Sequence, residues 1–128
     1  MIRGIIVALQ GRIQIRVRGH DGEFKTIEAI VDTGFNGWHS LPASLIAGLG
    51  LRWESEGHGV LADGSESEFN VFEATLVWHG RTRQVSVVAS ETVPLIGMAM
   101  LEGNELNMKV RERGAVTIKS MRRRRRLR

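Results

Sequence analysis

At 128 residues, 42% hydrophobic and 25% charged, the chain suits one compact globular domain with a substantial core and does not read as a disordered polypeptide. It contains no cysteine, which excludes disulfides, thiolate metal sites and cysteine nucleophiles. The net charge of +4 sits at one end: six arginines lie among the last seven residues, and without them 12 basic side chains face 14 acidic ones, so the high pI belongs to a tail and not to a basic fold surface.

The first nine residues, Met1 to Leu9, hold a short apolar run soon interrupted by Gln10, Gly11 and Arg12. It is too short for a secretory signal and reads as a strand. No apolar run approaches the roughly 20 residues of a membrane span, so no span is expected and the expected location is cytoplasmic. Arg12 to Arg18 alternates strictly between polar and apolar side chains, the period of a half-buried strand. Gly19-His20-Asp21-Gly22 is a turn, and Phe24 to Val31 returns as a second strand that grows apolar towards Asp32.

Pro42 to Leu49 is a short helix candidate, with proline suited to its first turn. Val60-Leu61-Ala62 and Phe69 to Phe72 flank Asp63-Gly64, a hairpin signal. Thr75 to Trp78 and Gln84 to Val88 flank His79-Gly80-Arg81, another. Met98 to Gly103 is a second short helix candidate; Leu106 to Val110 and Ala115 to Ile118 close the domain as strands. Many short strands with one or two short helices predict a mostly β fold, a closed or nearly closed β-barrel. The domain is expected to span residues 1–120, with 121–128 a disordered arginine-rich tail.

The informative segment is Ala29-Ile30-Val31-Asp32-Thr33-Gly34-Phe35. A carboxylate at the end of a buried strand is costly unless paired or hydrogen-bonded. Gly34 lets the backbone turn and brings amide donors to it, and the Thr33 hydroxyl is free to tie the loop to a neighbour. Alone, the tripeptide also fits an aspartate that merely opens a turn.

Four motifs in order and spacing are similar to the small stand-alone retropepsin-like aspartic proteases of bacteria and archaea. They are Val31 to Gly37 followed by Leu41-Pro42, then Leu61-Ala62-Asp63-Gly64-Ser65, then Pro94-Leu95-Ile96-Gly97-Met98, and Leu101-Glu102-Gly103. The resemblance covers roughly residues 1 to 119. It implies a retropepsin-like barrel and an aspartic endopeptidase with Asp32 catalytic and Thr33 and Gly34 supporting its loop. It also implies a substrate-covering flap at Ala62, Asp63 and Gly64, and a loop-packing element at Leu95, Ile96 and Gly97. Trp38, His39, Ala99 and the tail depart from the pattern; none touches Asp32.

The implied chemistry activates water between two aspartates sharing a proton. This chain has one Asp-Thr-Gly, so the resemblance implies a homodimer acting on a peptide or protein substrate, with Ile2 to Val7 and Val116 to Ile118 pairing across the two-fold axis. No cofactor and no metal is expected. His20, His39, His58 and His79 match no metal spacing and read as solvated loop residues; Trp38, Trp53 and Trp78 read as core or barrel packing. Gly57, Gly59 and Gly64 read as giving a flap freedom to open. The alternative is a non-catalytic β-barrel binding module whose tail, Arg122 to Arg128, makes weak contact with nucleic acid or another polyanion.

Overall fold

The structure, a computed structural model, describes residues 1–60 and 63–121. Its elements in chain order are β1 (Ile2–Val7), β2 (Gln10–Arg18), β3 (Phe24–Val31), β4 (His39–Pro42), α1 (Ala43–Leu49), β5 (Arg52–Val60), β6 (Glu66–Trp78), β7 (Arg81–Ser90), β8 (Leu95–Ile96), α2 (Met98–Leu101), β9 (Asn104–Met108) and β10 (Ala115–Ser120). Ala62, expected in the flap, and the arginine-rich tail beyond Met121 lie outside the described residues.

The alternation in β2 and β3 builds the first wall. Ile13, Ile15 and Val17 point into the core opposite Ala29, Ile27 and Lys25, while Gln14, Arg16 and Arg18 stay in water. Because side chains alternate with a period of two, this pairing places the whole apolar set on one face. Arg16 and Arg18 then close over the Phe24 ring at 5.2 and 5.9 Å.

Six strands form a ring in the order β6-β7-β4-β8-β3-β2, closed where Val17 of β2 meets Leu76 of β6. The sheet continues past β2 through β1, β10 and β9, and past β6 through β5. Leu41, Leu76, Val87, Ile96, Val116 and Ile118 are fully buried in the shared core. Among the described residues no helix is long and apolar enough to cross a membrane.

Several local expectations change. β1 ends at Val7 and the chain reverses through Ala8 and Leu9, both left-handed at φ 50° and 61°. That two-residue turn matches the right-handed twist of its strands but lacks the usual Gly or Asn. The Ala8 amide is held by the Glu112 carboxylate at 3.1 Å. β1 pairs with β10, and β10 with β9, inside the same chain. The terminal strands therefore have both edges filled, and β9 rather than β1 or β10 forms the outer edge of this side among the described residues. Trp78 is buried, but Trp53 is 53% exposed on β5, its indole N–H donating to Asn70 Oδ1 at 3.1 Å.

Leu76 sits where the ring closes and has no exposed surface. Leu76→Ala is expected to cost about 2–5 kcal/mol through lost burial and the cavity left behind. A urea unfolding curve with an unchanged slope and a lowered midpoint is the expected reading.

Candidate active site

β3 delivers Asp32 to the end of a core strand. The Asp32 amide donates to Ile96 O at 2.9 Å, continuing the β3–β8 pairing by one residue. The chain then turns: the Gly34 amide donates to Asp32 Oδ1 at 2.9 Å, and the Phe35 amide to Asp32 O at 3.2 Å. One carboxylate oxygen is thus aimed by its own loop. Asp32 is half-buried, whereas Thr33 and Gly34 are exposed.

The two residues of β8 lie between β3 and β4, parallel to the first and antiparallel to the second. The loop joining β3 to β4 crosses the junction of β8 and α2 and is bonded to it. Gly97 N donates to Trp38 O at 3.1 Å, Met98 N to Phe35 O at 2.7 Å and Ala99 N to Gly37 O at 3.1 Å. Gly97 is at φ −104°, extended backbone open to any residue, so space alone demands glycine. A Cβ there would overlap Gly37 O and stand 2.6 Å from Phe35 Cδ2 and 2.7 Å from Phe35 O. Asp32, Thr33 and Gly34 are in this way brought together with Leu95, Ile96 and Gly97.

His39 corrects the reading of the histidines as solvated. It opens β4 with no exposed surface, and its Nδ1 lies 2.7 Å from Leu95 O. A carbonyl only accepts, so Nδ1 carries the proton and donates, and Nε2 is left as a bare acceptor. Nε2 has no hydrogen-bond partner among the described residues, and neither has the buried Ser40 Oγ. Burial lowers the His39 pKa below its ordinary 6.5, against the raising effect of the Leu95 bond. Sequence offered one signal for this residue, its place directly before Ser40-Leu41, where a small or aliphatic side chain would be unremarkable. Trp38 beside it is half-buried, with the Arg83 guanidinium 4.8 Å over its ring.

A cleft of about 700 Å³ lies beside the loop. Its floor includes Phe35, Ser40, Ala89 and Leu95, and Val60, Glu68 and Asn70 of the β5–β6 hairpin wall it. Asp32 is not one of its walls; its loop reaches the cleft through Phe35. Asp63 and Gly64 stand exposed at the hairpin turn, where Ser65 donates its amide and its hydroxyl to Asp63 Oδ1 at 2.9 and 2.5 Å. Those bonds hold the Asp63 pKa below its ordinary value. Gly57 and Gly59 serve a different end from the expected freedom of movement. Both face Phe69, whose nearest ring atom would stand 2.9 Å or less from a Cβ at either position. The two glycines make room for an aromatic ring laid across the strand.

On the other side of the loop a second cavity, about 580 Å³, is bordered by Thr33, Asn36, Met98, Leu101 and Leu106. Among the described residues no group of three His, Asp or Glu side chains is placed to hold a metal ion.

No protein-family model and no curated protein sequence matches the chain. Several solved structures resemble it, two proteases among them. The solution structure of simian foamy virus (mac) protease superimposes with a TM-score of 0.52 at 16% identity, over 70% of this chain and 90% of that one. The fold is retropepsin-like. A retropepsin-like aspartic protease from Rickettsia conorii gives a TM-score of 0.48 at 16% identity, over 88% of this chain and 96% of that one. At such identity the likeness concerns the fold alone, and the viral protease carries it.

Gly97→Ala is expected to cost about 1–3 kcal/mol, because the methyl group meets backbone oxygens that cannot rotate away. Thermal unfolding measures it. His39 generates a second expectation. Its folded pKa is depressed, so the unfolded chain binds the extra proton first. Stability is then full above pH 6.5 and falls as the pH drops below it, until the folded pKa is reached. The slope is at most about 1.4 kcal/mol per pH unit. His39→Leu is expected to flatten that part of a stability-versus-pH curve, measured by urea unfolding at several pH values.

Proposed function

We propose that this chain is one subunit of an aspartic endopeptidase. The observation that carries the reading is Asp32: a carboxylate at the end of a core strand, aimed by the Gly34 amide, braced by the β8–α2 junction and set beside a cleft in a retropepsin-like fold. The protease domain is residues 1–120, and the arginine-rich residues 121–128 stand outside it; β10 ends at Ser120.

The chemistry requires two carboxylates sharing one proton. The ionised member takes a proton from water, and the protonated member donates to the carbonyl oxygen of the scissile bond. One Asp-Thr-Gly per chain makes the second carboxylate the Asp32 of another copy. The side of the loop that carries the exposed Thr33 supports this pairing. Thr33 shares its cavity with Leu106 of β9, the outer strand of the sheet, and with Met98, which is 46% exposed. The flap is the β5–β6 hairpin, with Ala62, Asp63 and Gly64 as its substrate-covering residues, and Leu95, Ile96 and Gly97 hold the catalytic loop. Hydrolysis then follows a bell-shaped pH profile centred on the acid side of neutrality, because only the singly protonated pair holds both a base and an acid.

Asp32→Asn keeps the shape of the side chain and removes its acid-base function. It is expected to lower peptide hydrolysis by at least about 10²–10⁴-fold with an unchanged melting temperature. Specific activity of the wild type is expected to fall on dilution, as the shared site is lost with the dimer. Cleavage that persists in Asp32→Asn, or specific activity that stays constant down to a monomeric concentration, refutes the reading. Binding of peptides without any Asp32-dependent cleavage would instead mark a binding module.

A further inference from the structure

The 28 residues from Trp53 to Gly80 hold six carboxylates, Glu54, Glu56, Asp63, Glu66, Glu68 and Glu73, and neither Lys nor Arg. The register of the hairpin decides where three of these point. Ala74, Leu76 and Trp78 of β6 face the core, and Phe72 packs against it. With a period of two, Asn70, Glu68 and Glu66 continue the same face beyond the barrel. Their cross-strand partners are Glu56, His58 and Val60, which share that face. This face of the strand thus passes from apolar core residues to Asn70 and Glu68 at the cleft, where Ser67 and Phe69 of the opposite face also border it.

Glu68 lines the cleft, and so does Glu91 on the segment between β7 and β8. That segment is turned by Ser90, whose Oγ lies 2.8 Å from Thr92 Oγ1 and accepts the Thr92 amide at 3.1 Å. Glu68 and Glu91 come from different elements and share a cavity whose floor is Phe35, Ala89 and Leu95. Among the described residues the cavity has no Lys or Arg wall. The nearest cationic candidate is His58, 3.8 Å from Glu68, and it is largely exposed.

We infer that the cleft selects peptides carrying a basic side chain, arginine or lysine, next to apolar residues, with Glu68 and Glu91 as the residues that set this preference. This rests on the peptidase reading and deepens it. The apolar floor takes the neighbouring side chains. An acidic side chain in the same position meets two like charges, so selection comes from repulsion as well as attraction. Both carboxylates reach solvent, so the attraction is screened and modest, and a closed cleft strengthens it only in so far as it excludes water.

The test uses matched apolar peptides in which one position at a time is Arg, Leu or Glu. Hydrolysis by the wild-type enzyme is read as kcat/KM, and binding to the Asp32→Asn protein is read by fluorescence anisotropy. At one or two positions Arg is expected to exceed Leu by about three- to tenfold and Glu by more. The Arg-to-Leu ratio is expected to approach one in the Glu68→Gln, Glu91→Gln double variant. It is also expected to shrink at about 1 M salt, where the screening length is about 3 Å. A ratio near one at every position, or a preference that survives the double variant, overturns the inference while leaving Asp32-dependent cleavage untouched. Loss of the peptidase reading shows separately, as cleavage that does not depend on Asp32, and the binding measurement still decides the preference.

Discussion

The contact between Gly97 and the loop from Asp32 to Trp38 governs both the ring and the site. β8 has only two residues, yet it joins β3 to β4 and so completes the ring. So short a strand has little pairing of its own. The residues directly after it, Gly97, Met98 and Ala99, add three backbone bonds to the loop above, to Trp38, Phe35 and Gly37. Each is worth about 0.5–1.5 kcal/mol net, and all three need the close approach that a side chain at position 97 would block. The contact that holds β8 in the wall is therefore the one that braces the loop whose Gly34 amide aims the Asp32 carboxylate. Damage to either is damage to both.

His39 adds a second tie at the same place, and with it a conflict. Its Nδ1–H bonds Leu95 O, so β4 is pinned to β8 through a side chain as well as through the ladder. The tie leaves Nε2 bare in the core, which suits a neutral ring. Protonation would put a charged donor there without a partner. The proposed chemistry works in acid, where a shared proton persists between two carboxylates, while His39 favours the folded state away from acid. The proposed chemistry and the burial of His39 thus pull the favoured pH in opposite directions.

What the sequence disclosed followed from periodicity and from one motif. The alternation of Ile13, Ile15 and Val17 located β2 and its face, and an apolar strand ending in Asp-Thr-Gly located the loop. The helix over Ala43–Leu49 was legible from Pro42, which stands at its N-cap, though the second helix stops at Leu101, short of Gly103. The reversal at Ala8-Leu9 was not legible, because its left-handed residues are neither Gly nor Asn and its support, Glu112, is remote in sequence. β5 was hidden for a related reason. Gly57 and Gly59 weaken any strand pattern until Phe69 is known to lie across them. The burial of His39 depends on β8 arriving from 56 residues further along, and no local pattern carries that. The pairing of β1 with β10 likewise brings together the two ends of the described chain.

The glycines also bear on the proposed flap. With the Phe69 ring against Gly57 and Gly59, the stem of the hairpin is packed where the sequence suggested freedom. The pairing of β5 with β6 runs without a break from Ser55–Val71 to Val60–Glu66, and its one irregularity falls between Trp53 and Ser55. A bulge bends its strand and increases the local twist. This one lies opposite Phe72 and Val71, where the inward face of β6 changes from core residues to Asn70 and Glu68. Below that point the strand is fixed by the barrel; above it the hairpin has only its own pairing and the cleft. In the proposed enzyme, opening for a substrate would be a swing of the hairpin about the bulge. Such a swing would carry Glu68 with the flap and leave Glu91 with the floor, so the two carboxylates come together around a bound side chain only when the cleft is closed.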